Sequence, residues 1–463
     1  MLNDMQMELF KYILVNMEDA VITMDMTGEV IYANPAARKL FGLNKDNLRL
    51  WEGPNNKEKT SKGDSHHIKL WESIPMVQEN DALIQLFING IFEKRKSFRS
   101  LADYVNHEGK KFHLHVSLIC EGDEKGVFLL VASDLTDFTK VHSAFQRYTS
   151  PDIADFVLTD PEGEQQGGTD REVSILMSDI RGLTMLSTKM SSSQLINMLN
   201  HYFESMSIVI ERFGGTIIEF LGDGIFVVFG APKELPDHAT AAVSCAVEMQ
   251  NAMKEVNQWN VENGFPTMEM GIGVNTGITA VGNIGSKHRM KYGCMGEAVN
   301  LAGRLESFTI GGQVFVSENT AGNINEHLSI IEEKSFMPKG ARKELKYYDV
   351  KGIGEHHILN DPTADVKWLD ISCFTMFIFY KLDGKSVNMT VHNGRIIKLS
   401  ENGRLCVLET EYQLNDTDNV MIRTDYEDAY AKVIEHAGNQ YTLCFTTKPE
   451  YLINLLMDKK PES

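Results

Sequence analysis

The sequence predicts an α+β protein of three domains, whose central domain has the order strand–helix–strand–strand–helix–strand. The chain has 463 residues, and a domain commonly contains about 100–200 residues. Two polar stretches that contain glycine, 159–170 and 354–365, have the composition of linkers. Between them, apolar residues recur at helical spacing in some segments and in short strand-like runs in others. The predicted parts are 1–137, 138–170, 171–353 and 366–463.

The composition is that of an ordinary globular protein, with 43% hydrophobic and 24% charged residues. Lys and Arg number 45 and Asp and Glu number 64, so the formal net charge is −19. Nucleic-acid binding needs clustered Lys and Arg, so this balance argues against DNA or RNA as a partner. We find no apolar run long enough for a membrane-spanning helix, no signal-peptide pattern and no CxxC pair. These features predict a soluble, reduced, cytoplasmic protein without a zinc site or disulfide framework.

The N-terminal segment predicts a small antiparallel sheet with short helices. Strand-like runs occupy 20–24, 29–32, 112–120 and 127–133, and a short amphipathic helix is predicted at 35–41. The opening VITMDMTGEVIYANPAARKLFG and the closing SDLTD resemble a PAS domain. This resemblance implies a sensor whose ligand is unknown, and a structural, dimerising domain without a cofactor is the alternative. Haem is not favoured, because lone histidines are seldom axial ligands; the histidines concerned are His66, His67, His107, His113 and His115.

Residues 138–158 predict a helical connector, because Val141, Phe145 and Tyr148 have helical spacing. Ser150 and Pro151 have the chemistry of an N-cap and a first helical residue, so a second helix is expected to start there. Such a connector can transmit a movement from a sensor to an output domain. A simple spacer is the alternative.

The central segment has the ferredoxin-like order of elements. Strands are predicted at 173–178, 216–220, 225–229 and 268–274, and helices at 191–213 and 236–259. Asp179 follows the first strand, and Asp223 lies at the tip of a glycine-flanked hairpin. Either aspartate alone is explained as a helix cap or a turn residue. Because their strands are expected to be neighbours, together they predict a two-carboxylate Mg²⁺ site.

A helix beginning at Glu297 places Asn300 and Arg304 on one face, since they are four residues apart. An amide and a guanidinium in that register can hold a ribose and a phosphate. An exposed helix with an ordinary surface arginine is the alternative.

Four motifs of the central segment resemble the class III nucleotide cyclases, which comprise the adenylate and guanylate cyclases. They are SDIRGLT, FGGTIIEFLGDGIFVVFGAP, GIGVNTG and YGCMGEAVNLAGRLE. The resemblance implies that Asp179, Asp223 and the backbone carbonyl of Ile180 bind two Mg²⁺ or Mn²⁺ ions per active site. It further implies that Asn300 orients the ribose and that Arg304 stabilises the transition state.

The same resemblance implies a homodimer with two active sites at the subunit interface. In this family one subunit supplies the metal ligands, and the other supplies base recognition and the helix residues. Lys339 resembles the lysine that contacts the terminal phosphates. Leu183 replaces the usual phenylalanine of the first motif, an apolar exchange of little expected effect.

Glu219 bears on the choice of purine. Cyclases that use ATP usually carry lysine three residues before the Gly-Asp of the hairpin, where this chain has Glu219. A carboxylate accepts from guanine N1–H and N2–H₂, whereas lysine suits the acceptor N1 of adenine. The second specificity position is Gly293, which has no side chain and does not decide.

The sequence therefore predicts a guanylate cyclase that converts GTP to 3′,5′-cyclic GMP and pyrophosphate under control of the PAS-like segment. An adenylate cyclase that makes cyclic AMP from ATP is the alternative within the class. A catalytically silent nucleotide-binding regulator is the alternative outside it. A diguanylate cyclase is disfavoured because the hairpin reads FLGDG rather than GGDEF.

The C-terminal segment predicts a small β-barrel, because short strand-like runs alternate with turn signals. LSENG and AKVIEHAGNQYTLCFTT resemble a PilZ-like barrel. The arginine-rich cyclic-di-GMP motif is absent, since Arg395 stands alone and Lys398 replaces the acid or amide expected before Ser400. A structural or protein-binding barrel is therefore favoured over a cyclic-di-GMP receptor.

Overall fold

The computed structural model describes most of the chain, and the described residues form two compact units, Met1–Phe145 and Gln146–Ser463. No helix among the described residues is long and apolar enough to cross a membrane. The described residues are 9, 12–43, 68–94, 97–121, 127–188, 190–337, 344–358, 366–371, 376–383, 386–387, 390–426, 428–446 and 449–458.

The first unit contains a five-stranded antiparallel sheet in the order β2–β1–β5–β4–β3. Its apolar side packs against short helices, which bury Phe41, Leu83 and Phe87 completely. The sequence predicts this sheet without β3, which has one fully buried side chain among its eight and no clear apolar alternation. The elements are β1 (Ala20–Met24), β2 (Val30–Ala33), α1 (Pro35–Phe41), α2 (Asp81–Ile88), β3 (Phe98–Val105), β4 (Lys111–Glu121) and β5 (Val127–Asp134), with 3₁₀ turns at Leu70–Ser73 and Gln78–Asn80 and a π-helical turn at Asn89–Lys94.

The histidines of this unit bond locally. His107 Nε2 lies 2.8 Å from the carbonyl oxygen of Ser73, and His113 Nδ1 lies 2.6 Å from Asp103 Oδ1. Within the described ranges, no cluster of three His, Cys, Asp or Glu side chains could hold a metal ion. His66 and His67 lie outside those ranges.

Two helices connect the sheet of the first unit to that of the second. Helix α3 (Thr136–Tyr148) contains the boundary between the units, and α4 (Pro151–Thr159) follows it. Ser150 Oγ accepts a hydrogen bond from Ile153 N at 3.3 Å, as expected for the predicted N-cap. The predicted linker 159–170 is shorter than expected, because β6 (Gly167–Ile180) begins within it. Residues 167–170 are exposed, but their backbone pairs with β9 (Met270–Ser286), which no side-chain pattern reveals.

The predicted ferredoxin-like order is present in the second unit, in a sheet ordered β12–β13–β11–β9–β6–β8–β7. Side chains of β8 alternate between two cores: Ile225 and Val227 join the larger core with helices α6 and α7, and Phe226 joins the smaller core on the other face. Burial on both faces explains the continuous apolar run of this strand. The elements are α5 (Leu183–Thr188), α6 (Ser192–Arg212), β7 (Thr216–Leu221), β8 (Gly224–Phe229), α7 (His238–Glu262), β10 (Arg289–Met295), α8 (Glu297–Phe308), β11 (Val314–Ser317), α9 (Glu318–Gly322), β12 (Leu328–Phe336), β13 (Leu345–Ile353) and β14 (His356–His357).

The predicted C-terminal barrel is also present. Strands pair in the order β16–β18–β19–β22–β21–β20, and β20 pairs with β16, so the described residues form a closed six-stranded barrel. Leu452 and Leu456 of the last helix pack into its core. The elements are β15 (Trp368–Asp370), β16 (Met376–Asp383), β17 (Ser386–Val387), β18 (His392–Ser400), β19 (Leu405–Glu409), β20 (Asn419–Arg423), β21 (Asp428–Ala437), β22 (Gln440–Phe445) and α10 (Glu450–Asp458). The resemblance to PilZ stays a prediction.

Candidate active site

Asp179 and Asp223 lie together at one end of the central sheet. Asp179 is the penultimate residue of β6, and Asp223 lies in the two-residue turn between β7 and β8. Strands β6 and β8 are paired up to Ser178 and Ile225, which brings the turn beside the end of β6. Gly222 has a φ of 71°, a conformation that favours glycine and makes this tight turn possible.

The two carboxyls interact electrostatically. Burial and the nearby carboxyl of Asp223 raise the pKa of Asp179 to about 7. Glu306 adds to this upward shift, whereas the guanidinium of Arg181 opposes it. Two carboxylates held this close repel one another when both are ionised.

These residues fit a divalent cation. Mg²⁺ is commonly held by one or two carboxylates together with substrate phosphates. A cation between the carboxylates would relieve the repulsion that raises the pKa of Asp179. The carbonyl of Ile180 follows Asp179 directly in the chain and adds a third oxygen of the type Mg²⁺ prefers. Asp179, Ile180 and Asp223 are thus the residues that would hold Mg²⁺ or Mn²⁺.

Asn300 and Arg304 lie on the exposed face of α8. The opposite face is anchored by the buried side chains of Ala302 and Leu305. Asn275 of β9 donates to the carbonyl of Ala298 at 2.9 Å, which ties the start of the helix to the sheet. The helix lies directly on β9, since a Cβ at Gly273 would come within 2.6 Å of the Ala302 carbonyl oxygen.

The structure does not join this helix face to the carboxylate pair within one chain. Among the described residues, the side chains of Asn300 and Arg304 form no hydrogen bond or ion pair with Asp179 or Asp223. Lys339 lies outside the described residues.

Glu219 and Gly293 lie on neighbouring parts of the sheet. A Cβ at Gly293 would contact Ile218, the residue before Glu219, at 3.9 Å. Glu219 is exposed on β7, and its carboxylate forms an ion pair with the ammonium group of Lys291 on β10. The base-recognition position predicted from the sequence is therefore a Glu–Lys pair rather than a lone carboxylate.

The face of the β9–β10 ribbon that carries Lys291 also exposes apolar side chains. Ile278 is 70% exposed and Met295 is 64% exposed. The register places Met295 opposite Ala280 and Lys291 opposite Ile284, so these side chains share one face of the ribbon with Gly293. Exposed apolar side chains grouped this way are typical of an interaction surface.

Sequence reasoning missed the roles of Arg181 and Lys291. Arg181 donates to the carbonyl of Glu306 at 3.0 Å and to Thr309 Oγ1 at 2.9 Å, and it pairs with the Glu306 carboxylate. It thereby links the end of β6 to the end of α8. Arg181 stands in the SDIRGLT motif and Lys291 immediately precedes YGCMGEAVNLAGRLE, but partners distant in sequence are not encoded in either motif.

Helix α4 packs against strand β10. The ring of Phe156 lies 5.4 Å from that of Tyr292, edge to face. Ile153 is buried in the same core as Ile218 and Tyr292. Tyr292 lies between Lys291 and Gly293, so α4 contacts the strand that carries both.

Two family models match the chain. One, described as the adenylate and guanylate cyclase catalytic domain, matches residues 166–352. The other, a PAS domain, matches residues 8–65. The first covers the sheet and helices that carry the carboxylate pair and the α8 face.

Named relatives include both adenylate and guanylate cyclases. Adenylate cyclase 1 of Rhizobium meliloti (strain 1021) is 31% identical over 185 residues, covering 40% of this chain and 28% of that protein. The membrane guanylyl cyclase of Dictyostelium discoideum is 30% identical over 237 residues, covering 49% of this chain and 15% of that protein. The chain thus spans less than a third of the length of these two relatives. Their names do not select a purine.

Two solved structures are similar to the central part of the chain. The guanylyl cyclase Cya2 is 45% identical, with 42% of this chain and 100% of that chain covered and a TM-score of 0.41. The adenylyl cyclase CyaB from P. aeruginosa is 32% identical, with 43% and 98% covered and a TM-score of 0.37.

Proposed function

We propose that this chain, a class III nucleotide cyclase with an N-terminal PAS domain, converts GTP to 3′,5′-cyclic GMP and pyrophosphate. The observation that carries the choice of GTP is Glu219, a carboxylate at the position that faces the base in this family. Guanine presents two donors on its N1–N2 edge, and an acceptor of the right sense discriminates strongly against adenine.

The reaction is an in-line displacement at phosphorus. The ribose 3′-oxygen gives up its proton to water and bonds to the α-phosphorus. The bond from that phosphorus to the bridging oxygen breaks, and its electron pair leaves with pyrophosphate. Asp179, Ile180 and Asp223 would hold metal ions, whose positive charge would acidify the hydroxyl and neutralise the departing phosphates.

Asn300 and Arg304 serve the other side of the reacting centre. The Asn300 amide orients the ribose so that its 3′-oxygen faces the α-phosphate. The Arg304 guanidinium donates to the phosphate oxygens as negative charge develops on them. Both side chains are exposed on α8 and therefore available to a nucleotide held by a second copy of the chain. Lys339 is proposed to contact the terminal phosphates.

We propose a homodimer in which each active site combines the carboxylates of one copy with the α8 face and Glu219 of the other. The exposed apolar side chains beside Lys291 on the β9–β10 ribbon support this arrangement, because association would remove them from water. A C2 dimer of identical chains contains two such sites.

The domain division 1–137, 138–170, 171–353 and 366–463 is proposed as sensor, connector, catalytic domain and PilZ-like barrel. The contact between Phe156 and Tyr292 supports transmission through the connector, because a shift of α4 would move the base-recognition strand. The sensor's ligand is not assigned.

ATP is the second candidate substrate, and Lys291 favours it. Its ammonium group is paired with Glu219 and could donate to adenine N1 if that pair opened. If GTP is the substrate, we propose that the Lys291 ammonium instead holds the Glu219 carboxylate towards the base.

The test is product identification by mass spectrometry after incubating the purified chain with MgGTP and MgATP side by side. The Asp223→Ala variant prepared in parallel measures background from contaminating cyclases. We expect cyclic GMP as the main product and a higher kcat/KM for GTP. A higher kcat/KM for ATP would refute the choice of purine, and equal product from Asp223→Ala would refute the site.

A further inference from the structure

The C-terminal barrel contacts the end of the catalytic helix α8 through a buried lysine. Lys432 lies on β21 and is only 5% exposed. Its ammonium group donates to the carbonyl oxygen of Thr309 at 3.0 Å and also to that of Ser307. These residues belong to the end of α8 and the turn that follows it.

A second barrel residue holds the same turn. Arg404 Nη2 donates to the Gly311 carbonyl at 2.8 Å and pairs with Glu269 Oε2 at 2.7 Å. Between these polar contacts, Ile310 packs against Leu405 of the barrel. The barrel therefore contacts the turn through two cations and an apolar core.

This turn is close to the reacting groups in sequence and in space. Ser307 Oγ donates to the carbonyl of Arg304 at 2.8 Å, within the last turn of α8. On the other side, Arg181 bonds Thr309 Oγ1 and lies with its Nη1 4.0 Å from Asp179 Oδ2. A cavity of about 290 Å³ is lined by Asp179, Arg181 and Lys432 together.

Burial of the Lys432 ammonium group is energetically unfavourable, because the charge loses its hydration. Burial, together with the nearby Arg181 guanidinium, lowers the pKa of Lys432 to about 7, and Glu306 opposes this shift. An apolar side chain of similar length would avoid the desolvation. What the ammonium supplies is a donor to two carbonyls and a cation at a helix C-terminus, where the helix dipole favours positive charge.

We propose that Lys432 is a positioning residue through which the C-terminal barrel holds the end of α8, and with it Arg304, in the catalytically competent place. The kinetic part of this inference rests on the proposed cyclase activity. The structural part does not, since it concerns order at the end of α8.

The test compares Lys432→Met with Lys381→Met in the full chain. Methionine replaces most of the lysine side chain with an unbranched apolar chain, one atom shorter, and removes its charge and donors. Lys381 is the matched control, because its ammonium pairs at 2.6 Å with Asp418, which belongs to the same barrel. Both variants are assayed for kcat and KM with GTP and ATP, and for backbone amide exchange over 297–311. Lys432→Gln, which keeps a donor on a shorter side chain, replaces the methionine variant if that one does not fold.

We expect Lys432→Met to lower kcat by about ten- to a hundredfold, as for a small misplacement of a catalytic group, with KM changed far less. Amide exchange over 297–311 should rise in this variant and stay at the wild-type level in Lys381→Met. Wild-type kcat and exchange in Lys432→Met would overturn the proposal, as would an equal loss in Lys381→Met. If the wild-type chain cyclises neither nucleotide, the proposed function fails, and the exchange measurement alone decides the role of Lys432.

Discussion

The two halves of the candidate site differ in how much of their environment the chain itself provides. Asp179 and Asp223 face one another at a strand end, and Arg181 lies beside them within the same chain. Asn300 and Arg304, by contrast, stand exposed on α8 without a side-chain partner among the described residues. This difference is what we expect if, as proposed, each chain presents two complementary half-sites rather than one complete site.

The largest expected effects come from removing one residue of each half. Asp223→Ala and Arg304→Ala should each lower turnover by about 10³-fold or more, since each removes charge stabilisation at the reacting centre. A second measurement should distinguish the two variants. It is the rise in Tm when Mg²⁺ is added without nucleotide. We expect Arg304→Ala to keep that rise and Asp223→Ala to lose it. If Arg304→Ala lost the rise in Tm with Mg²⁺, the assignment of metal binding to the carboxylate half alone would be wrong.

Glu219 should affect one purine more than the other. Glu219→Met leaves the two guanine donors without an acceptor, so kcat/KM for GTP should fall by about 10²–10⁴-fold. The value for ATP should fall far less. Lys291→Met is the control, because it removes the ion-pair partner and leaves the carboxylate in place. Equal losses for GTP and ATP in Glu219→Met would show that this residue does not read the base.

The carboxylate half should also respond to pH. The folded-state pKa of Asp179 is raised to about 7, so the stability linked to its protonation is present below the unfolded value and lost as pH rises through 7. Metal-free protein in EDTA should therefore lose stability between pH 4 and 7, and Asp179→Asn should lose less. Because Mg²⁺ displaces the proton, its affinity should increase over the same range. Calorimetric titration at pH 5.5 and 7.5 measures this change, and equal affinities would contradict it.

The smallest expected effects distinguish two glycines. A Cβ at Gly224 would lie 2.8 Å from the carbonyl oxygen of Ser178, so Gly224→Ala should force the β7–β8 hairpin away from β6. We expect a loss of about 1–3 kcal/mol in unfolding free energy. Gly293→Ala meets nothing closer than 3.9 Å, so its effect should stay within about 0.5 kcal/mol. Urea unfolding of both variants checks this contrast.

The sequence predicts these regions unequally. Strand ends and a glycine-flanked turn mark Asp179 and Asp223, and helical spacing alone places Asn300 and Arg304 on one face. The contacts that hold those elements join residues far apart in the chain, such as Arg181 with Glu306 and Lys432 with Thr309. No local pattern specifies such pairs. The sequence also does not predict that β6 starts at Gly167. Its first residues pair through the backbone and leave their side chains exposed, so no apolar pattern marks them.

Subunit mixing tests the central claim most directly. Asp223→Ala has an intact α8 face and Arg304→Ala has an intact carboxylate pair, so a heterodimer contains one complete site and one doubly defective site. Random reassortment of equal amounts should restore about a quarter of the wild-type turnover from two inactive proteins, as expected for a C2 dimer. A mixture that exchanges subunits but stays as inactive as its components would contradict a site divided between two copies of the chain.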